Sequence, residues 1–421
     1  MEHYKIILLL LGIMILISAF ADRNKLASPV LLIISGIAVG FIPGMPVIQI
    51  NPEIIFLLFL PPLLFDAAYN MHFDDFKRHF RTISSLAIGL VFLTAAAIAV
   101  MSYYLIPEMT WPLSFLLGAI LSATDAVAAI GITKNLKLTR NTMTILEGES
   151  LINDASALVA YRFALAAVAG GAFIWVNAIG TFIKLLVGGF VTGLIMAILA
   201  GLMLRYIRGH LLAVLSVILI APFVTYLLAE AFHFSGVIAV VVLAFGISKL
   251  AVERFPETVR AQSKTLWEVL VFILNGLIFL FIGLEFPLVI ESIEHTKILP
   301  YCFYALLIVL VTVIVRFIRL FFIRRNLEGV FRRLKPDHSH YTFLQSIMLS
   351  IQESWVIGWA GMRGIVSLAM AIALPHTPES GLDPHMRNVI LFITTVVVLI
   401  SILGQGLVLP MIIRKMDAKE S

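Results

Sequence analysis

Apolar runs recur along the whole chain, each near or above the length that spans a hydrocarbon core, and short polar stretches separate them. The pattern predicts thirteen crossings, at roughly 5–21, 28–43, 51–69, 82–105, 112–133, 142–168, 178–204, 211–232, 234–249, 265–289, 299–323, 346–374 and 388–413. In lipid, only helices and closed barrels satisfy every backbone N–H and C=O. These runs are too long and too evenly apolar for barrel strands, so the fold class is an all-α polytopic membrane protein. The first run ends in Ala19-Phe20-Ala21, which resembles a signal-peptidase site. Glu2 and a lone Lys5 ahead of it make a poor signal-peptide start, and a retained first helix is expected.

Charge gives the crossings a direction. Arg23 and Lys25, then Lys77, Arg78 and Arg81, then Lys134, Lys137 and Arg140, then Arg205 and Arg208 fall in alternate loops. Lys249, Arg254, Arg260 and Lys264, the cluster from Arg316 to Lys335, and Arg414, Lys415 and Lys419 continue on that side. The opposite loops carry only Lys297 and Arg387. By the positive-inside rule the N-terminus is outside the cell membrane and the C-terminus in the cytosol, as an odd number of crossings requires. Composition agrees, with 61% apolar and 13% charged residues against about 25% charged in a soluble domain. The net charge of +5 is mostly cytosolic loop charge and points to no nucleic acid, though the 316–335 cluster could meet anionic lipid head groups. A single cysteine, Cys302, excludes a disulfide framework and any cysteine metal site.

A few polar residues stand where lipid-compatible ones belong. In Ile145–Ala164, Glu149 and Asn153 are four apart, as are Ser150 and Asp154, so all four lie on one helix face. With the helix starting near Thr142, Asp154 sits about 18 Å into a core of roughly 30 Å. A carboxylate there costs at least ~2.5 kcal/mol and needs a partner, a cavity or a proton. The fifth crossing holds Ser122-Ala123-Thr124-Asp125 near its middle, residues that can unwind or cap a helix locally. The twelfth holds Gly358, Gly361, Arg363, Gly364 and Ser367, which suggests an interrupted helix around a buried arginine. Interrupted helices at corresponding places in two halves are a pointer to a transporter's site, and to inverted repeats. The third crossing adds Pro61-Pro62, which should kink it, and Asp66 towards its cytosolic end.

Each residue also has a structural reading. Asp154 and Asp125 could be neutralised by a proton or by Arg363, and Glu149 with Arg363 could be a purely structural ion pair. Asn153 could bond a facing backbone, and Asp66 could be solvated at the interface. His72, His79, His210 and His233, at helix ends or in loops, read as ordinary surface histidines.

The stretches Phe59–Tyr69 (FLPPLLFDAAY), Gly118–Ala129 (GAILSATDAVAA), Glu147–Ala157 (EGESLINDASA), Trp267–Gly283 (WEVLVFILNGLIFLFIG) and Trp359–Ala371 (WAGMRGIVSLAMA) resemble the sodium/proton exchanger branch of the monovalent cation:proton antiporter family, in its bacterial form. The resemblance implies thirteen helices in inverted repeats, a homodimer, and two crossed, broken helices. It further implies dimerising scaffold helices over 1–69 and 211–290, a moving core over 82–170 and 298–415, a linking helix at 178–204 and the start of a cytosolic tail at 416–421. Asp154 would be the shared cation and proton site, with Ser150, Thr124 and Asp66 as further ligands of Na⁺, direct or through water. Glu149 and Arg363 would form the buried ion pair, and Asn153 and Asp125 the core-stabilising polar contacts. One departure is Ala123, where many relatives have proline, and its absence could leave the fifth helix less sharply broken.

These residues suggest no enzyme and no resident cofactor, only a transported cation and H⁺. Loss of water favours a protonated carboxyl, while a bound cation favours an ionised one, so the two compete for Asp154. Asn153 beside Asp154 leaves one titrating group at that point, and the tenth crossing has no lysine, so electroneutral one-for-one exchange is the expectation. A cation channel or sensor would use the same polar residues. An anion symporter fits less well, because Asp125, Asp154 and Glu149 face one Arg363 at the midplane. Na⁺, Li⁺ and K⁺ are not told apart by the sequence.

Overall fold

The computed structural model describes residues 2–24, 26–42, 52–133, 138–170, 175–207, 209–331, 349–375 and 381–420. Among the predicted features, Lys25, Lys134, Lys137, Arg208, residues 332–335 of the basic cluster, the start of the twelfth crossing at 346–348 and parts of the loops 42–52, 169–177 and 375–387 lie outside these residues. The helices are α1 (Glu2–Arg23), α2 (Ser28–Gly40), α3 (Pro52–Asn70), α4 (Phe73–Ser84), α5 (Val91–Leu105), α6 (Trp111–Ile120), α7 (Ala126–Thr133), α8 (Arg140–Val168) and α9 (Trp175–Tyr206). They continue as α10 (Leu211–Ala231), α11 (Gly236–Arg254), α12 (Glu257–Glu291), α13 (His295–Phe331), α14 (Ile351–Trp359), α15 (Ile365–Ile372), α16 (Pro384–Leu399) and α17 (Gly406–Glu420). Wider π turns at Ser85–Leu90 and Ile400–Gln405 join α4 to α5 and α16 to α17. No strand occurs among the described residues.

The predicted crossings coincide with helices, the fifth and the twelfth as two half-helices each. Among the described residues seven helices are long and apolar enough to cross a membrane, and Ser28–Gly40, Phe56–Asn70, Trp111–Ile120 and Gly236–Ala251 are shorter apolar helices. Their starts follow from side chains that satisfy otherwise orphaned N–H groups. Thr110 accepts from Leu113 N, Thr139 from Thr142 N and Ser235 from Ile238 N, and Ser350 with Glu353 closes a reciprocal capping box. Prolines 61, 62, 222, 287, 300 and 410 sit inside helices, as neighbouring helices in a membrane allow.

The chain divides into two compact units. The first comprises Met1–Val47, Asp74–Gly171 and Ile278–Ser421. In it α8 packs against α6, α7 and the first π turn, and α13 packs against α5, α14 and α16. Here α2 meets the end of α12 through glycines. A Cβ on Gly36 would lie 2.2 Å from Leu280 O, and one on Gly283 2.2 Å from Ile33 O. Such contact lets backbones approach where lipid offers no hydrophobic drive for association.

The second unit comprises Ile48–Phe73 and Ala172–Leu277. There α9, α10 and α11 pack on one another, with α3 against α10 and α11. Gly193 admits α11, since a Cβ would stand 2.4 Å from Ala239 O. Phe65 of α3 lies 4.8 Å from the Trp267 ring and 5.5 Å from that of Tyr69, centroid to centroid.

Candidate functional site

The site is built on α8, whose 29 residues place Asp154 at their middle. Glu149, Asn153 and Asp154 are buried and Ser150 is half-buried. Three of the four turn to Thr124. Asn153 Oδ1 accepts from Thr124 N (3.2 Å), and Asn153 Nδ2 donates to Thr124 Oγ1 (3.1 Å). Ser150 Oγ donates to Thr124 O (3.3 Å), and Thr124 Oγ1 donates to Glu149 Oε1 (3.4 Å). Asp154 differs: its Oδ1 is buried and has no hydrogen-bond partner among the described residues.

Thr124 can be held this way because the fifth crossing is open there. Between α6 and α7 the chain leaves the helix over residues 121–125, and between α14 and α15 over residues 360–364. The two breaks lie against each other. Asp125 N donates to Met362 O (2.8 Å), and Arg363 Nε donates to Leu121 O (3.0 Å). Arg363 Nη1 also donates to Gly361 O. Thus a buried guanidinium meets the carbonyl end of α6, the negative pole of that half-helix. Asp125 Oδ1 accepts from Val127 N (2.9 Å) and Ala128 N (3.2 Å), capping the positive end of α7. The carboxylate lies so close to the second break that a Cβ on Gly364 would be 1.9 Å from Asp125 Oδ2. Free backbone groups of both breaks are therefore met by opposite charge inside the protein, which makes irregular backbone tolerable at this depth. Ala123 does not abolish the break: the chain leaves the helix over residues 121–125, and side chains of α8 bond the backbone of Thr124 there.

The expected pairing of Glu149 with Arg363 is corrected. Glu149 forms a two-pronged ion pair with Arg316 of α13, Nη1 to Oε1 at 2.5 Å and Nη2 to Oε2 at 2.7 Å, with side chains 1% and 2% exposed. Arg316 Nε donates to Ile357 O (2.8 Å), and Gly361 makes room for its side chain. Both charges are thus paired and hydrogen-bonded, the condition for burying them at all. Arg316 lies within the predicted crossing 299–323, although the charge pattern assigns it to the cytosolic cluster; its place inside an apolar run is the sequence signal of its burial. His79 is likewise buried rather than on the surface, its Nε2 3.2 Å from Asn141 Oδ1. Asp66 belongs to the second unit, half-buried on α3, and accepts from Asn70 Nδ2 (2.7 Å). Among the described residues no group of three or more His, Cys, Asp or Glu side chains is placed to hold a metal ion.

Two broken helices whose free ends meet beside a membrane-buried carboxylate are the architecture of a secondary transporter. Residues 6–415 match the family described as sodium/hydrogen exchanger, transmembrane, and the chain belongs to that family. An uncharacterised Na⁺/H⁺ exchanger of Mycobacterium tuberculosis is 34% identical over 414 residues, covering 97% of this chain and 74% of the relative. A sodium, potassium, lithium and rubidium/H⁺ antiporter of Bacillus pumilus is 32% identical over 426 residues, 97% of this chain and 62% of the relative. The fold is that of the sodium proton antiporter MjNhaP1 from Methanocaldococcus jannaschii, with a TM-score of 0.72 at 21% identity over 99% of each chain.

Proposed function

We propose that this protein exchanges a monovalent cation, Na⁺ first, for H⁺ across the cell membrane, by competition of the two for Asp154. The observation that carries this reading is the contrast between Asp154 and its neighbours. Glu149, Ser150, Asn153, Asp125 and Arg363 are engaged in holding the breaks; Asp125 Oδ2 and Asp154 Oδ1 are both buried without a hydrogen-bond partner among the described residues, but Asp125 uses its other oxygen to cap α7. The Asp154 carboxylate is stable in the membrane only with a proton or a cation on it. Thr124 Oγ1 and O and Ser150 Oγ retain acceptor capacity beyond their present bonds, so oxygen ligands for a hard cation are at hand on the same face.

One exchanging carboxylate, with Asn153 next to it, supports one H⁺ for one cation and no net charge moved. The loaded forms would cross and the empty charged form would not, which couples the two fluxes. A homodimer with moving core and fixed scaffold, an outside N-terminus and a cytosolic basic face against anionic lipid complete the reading. K⁺ or Li⁺ in place of Na⁺ is the second reading, and the activity printed for the Bacillus pumilus relative favours keeping it. Proteoliposomes loaded with a pH indicator decide between them when Na⁺, Li⁺ and K⁺ are added in turn. Alkalinisation that depends on the cation supports exchange, and its absence with all three would refute it.

A further inference from the structure

The π turn at Ile400–Gln405 serves neither the ion pair nor the face of α8. Its Ser401 is wholly buried, and its Gln405 is 4% exposed, an expensive side chain for a membrane helix. Ser401 Oγ accepts from Arg363 N (2.9 Å) and, having one hydrogen to give, donates it to Gln405 Oε1 (2.6 Å). Hydroxyls in membrane helices usually bond back to the carbonyl four residues earlier. Ser156, Thr192 and, in the helix that leads into this turn, Thr395 all do so. Ser401 instead points its acceptor at the second break. The carbonyl of Gln405 takes Trp359 Nε1 (3.2 Å), fixing the residue that ends α14. The next residue, Gly406, faces α7, where a Cβ would lie 2.7 Å from Ile132 Cδ1. The turn and the residue after it therefore touch one half-helix beside each break, α14 and α7, and the backbone of the second break itself. π turns of this kind recur at functional sites.

We infer that Ser401 and Gln405 are positioning residues for the cation site, setting the backbone of the second break and, through the Arg363 bond to Leu121, that of the first. Neither touches the cation. The inference rests on exchange at Asp154, as proposed above.

The test is Na⁺/H⁺ exchange in proteoliposomes over a range of Na⁺ and pH, for wild type, Ser401→Ala, Ser401→Thr and Gln405→Met, with melting curves in detergent. Ser401→Ala leaves the buried Arg363 N–H unpaired and should raise the KM for Na⁺ about tenfold or more. Ser401→Thr keeps the hydroxyl and should bring KM back to within about threefold of wild type. Gln405→Met removes the acceptor that orients Ser401 and should raise KM about threefold or more. Wild-type KM and pH profile in both Ser401→Ala and Gln405→Met overturns the inference, as does a KM in Ser401→Thr as high as in Ser401→Ala. Should Ser401→Ala fail to fold, Gln405→Met alone decides by the same criterion. A wild type without Na⁺/H⁺ exchange sinks the functional proposal itself, and this inference with it.

Discussion

Thr124 shows how much of the site is held by one small residue. Its N–H, hydroxyl and carbonyl are all engaged, with Asn153, Glu149 and Ser150. Glu149 in turn is fixed by Arg316, so the ion pair is the anchor from which Thr124 is hung. Removing one partner of a buried pair strands the other charge and costs about 3–5 kcal/mol. Glu149→Ala and Arg316→Ala should each lower the melting temperature and the yield in detergent by a large margin. The double variant should be far less destabilised than the sum of the two, because it strands nothing. Additive losses would show that the two side chains do not depend on each other.

At the scale of elements, the breaks are the feature on which everything turns, and they depend on close approach. Gly364→Ala puts a methyl against the Asp125 carboxylate, which must move and lose its cap on α7. A fall in stability of about 1–3 kcal/mol and a raised KM for the cation should follow. Gly12→Ala in α1 is the control: a Cβ there meets nothing within 4 Å, and a helical Gly→Ala change should be neutral or stabilise by up to about 1 kcal/mol. Equal losses in both variants would deny the second break any special role. Both interruptions were legible in the sequence, because Ser122, Thr124 and Asp125, and Gly361, Arg363 and Gly364, are poor choices for a continuous helix in lipid. The partner of Glu149 was not. Depth places Arg363 at the right level, but only the packed structure shows its guanidinium turned to the carbonyls of Leu121 and Gly361, with α13 presenting Arg316 instead. The π turn has no sequence signature, since hydropathy period fixes which face is apolar and not where a helix widens by one residue. His79 lies ahead of the predicted crossing at 82–105 and so reads as loop, whereas α4 begins at Phe73 and turns His79 inward with Phe76 and Ile83.

At the scale of the whole molecule, the proposed exchange depends on one carboxylate. With no second charge moving, an imposed membrane potential should leave the initial exchange rate in proteoliposomes unchanged. A strong dependence would mean that another group, Asp125 or Asp66 first, travels charged. Competition at one site also fixes a pH response: raising the cation concentration should move the activity profile of the wild type towards lower pH, since more cation displaces more protons. A profile that ignores cation concentration would separate the two sites. The most direct measurement is exchange by Asp154→Asn beside Asp154→Glu. The amide is cheaper in the membrane than a carboxylate, so Asp154→Asn should insert and melt much like wild type. It should exchange no Na⁺, Li⁺ or K⁺, while Asp154→Glu keeps some exchange with altered apparent affinity. Exchange by folded Asp154→Asn at a substantial fraction of the wild-type rate would contradict the assignment of Asp154 as the shared site.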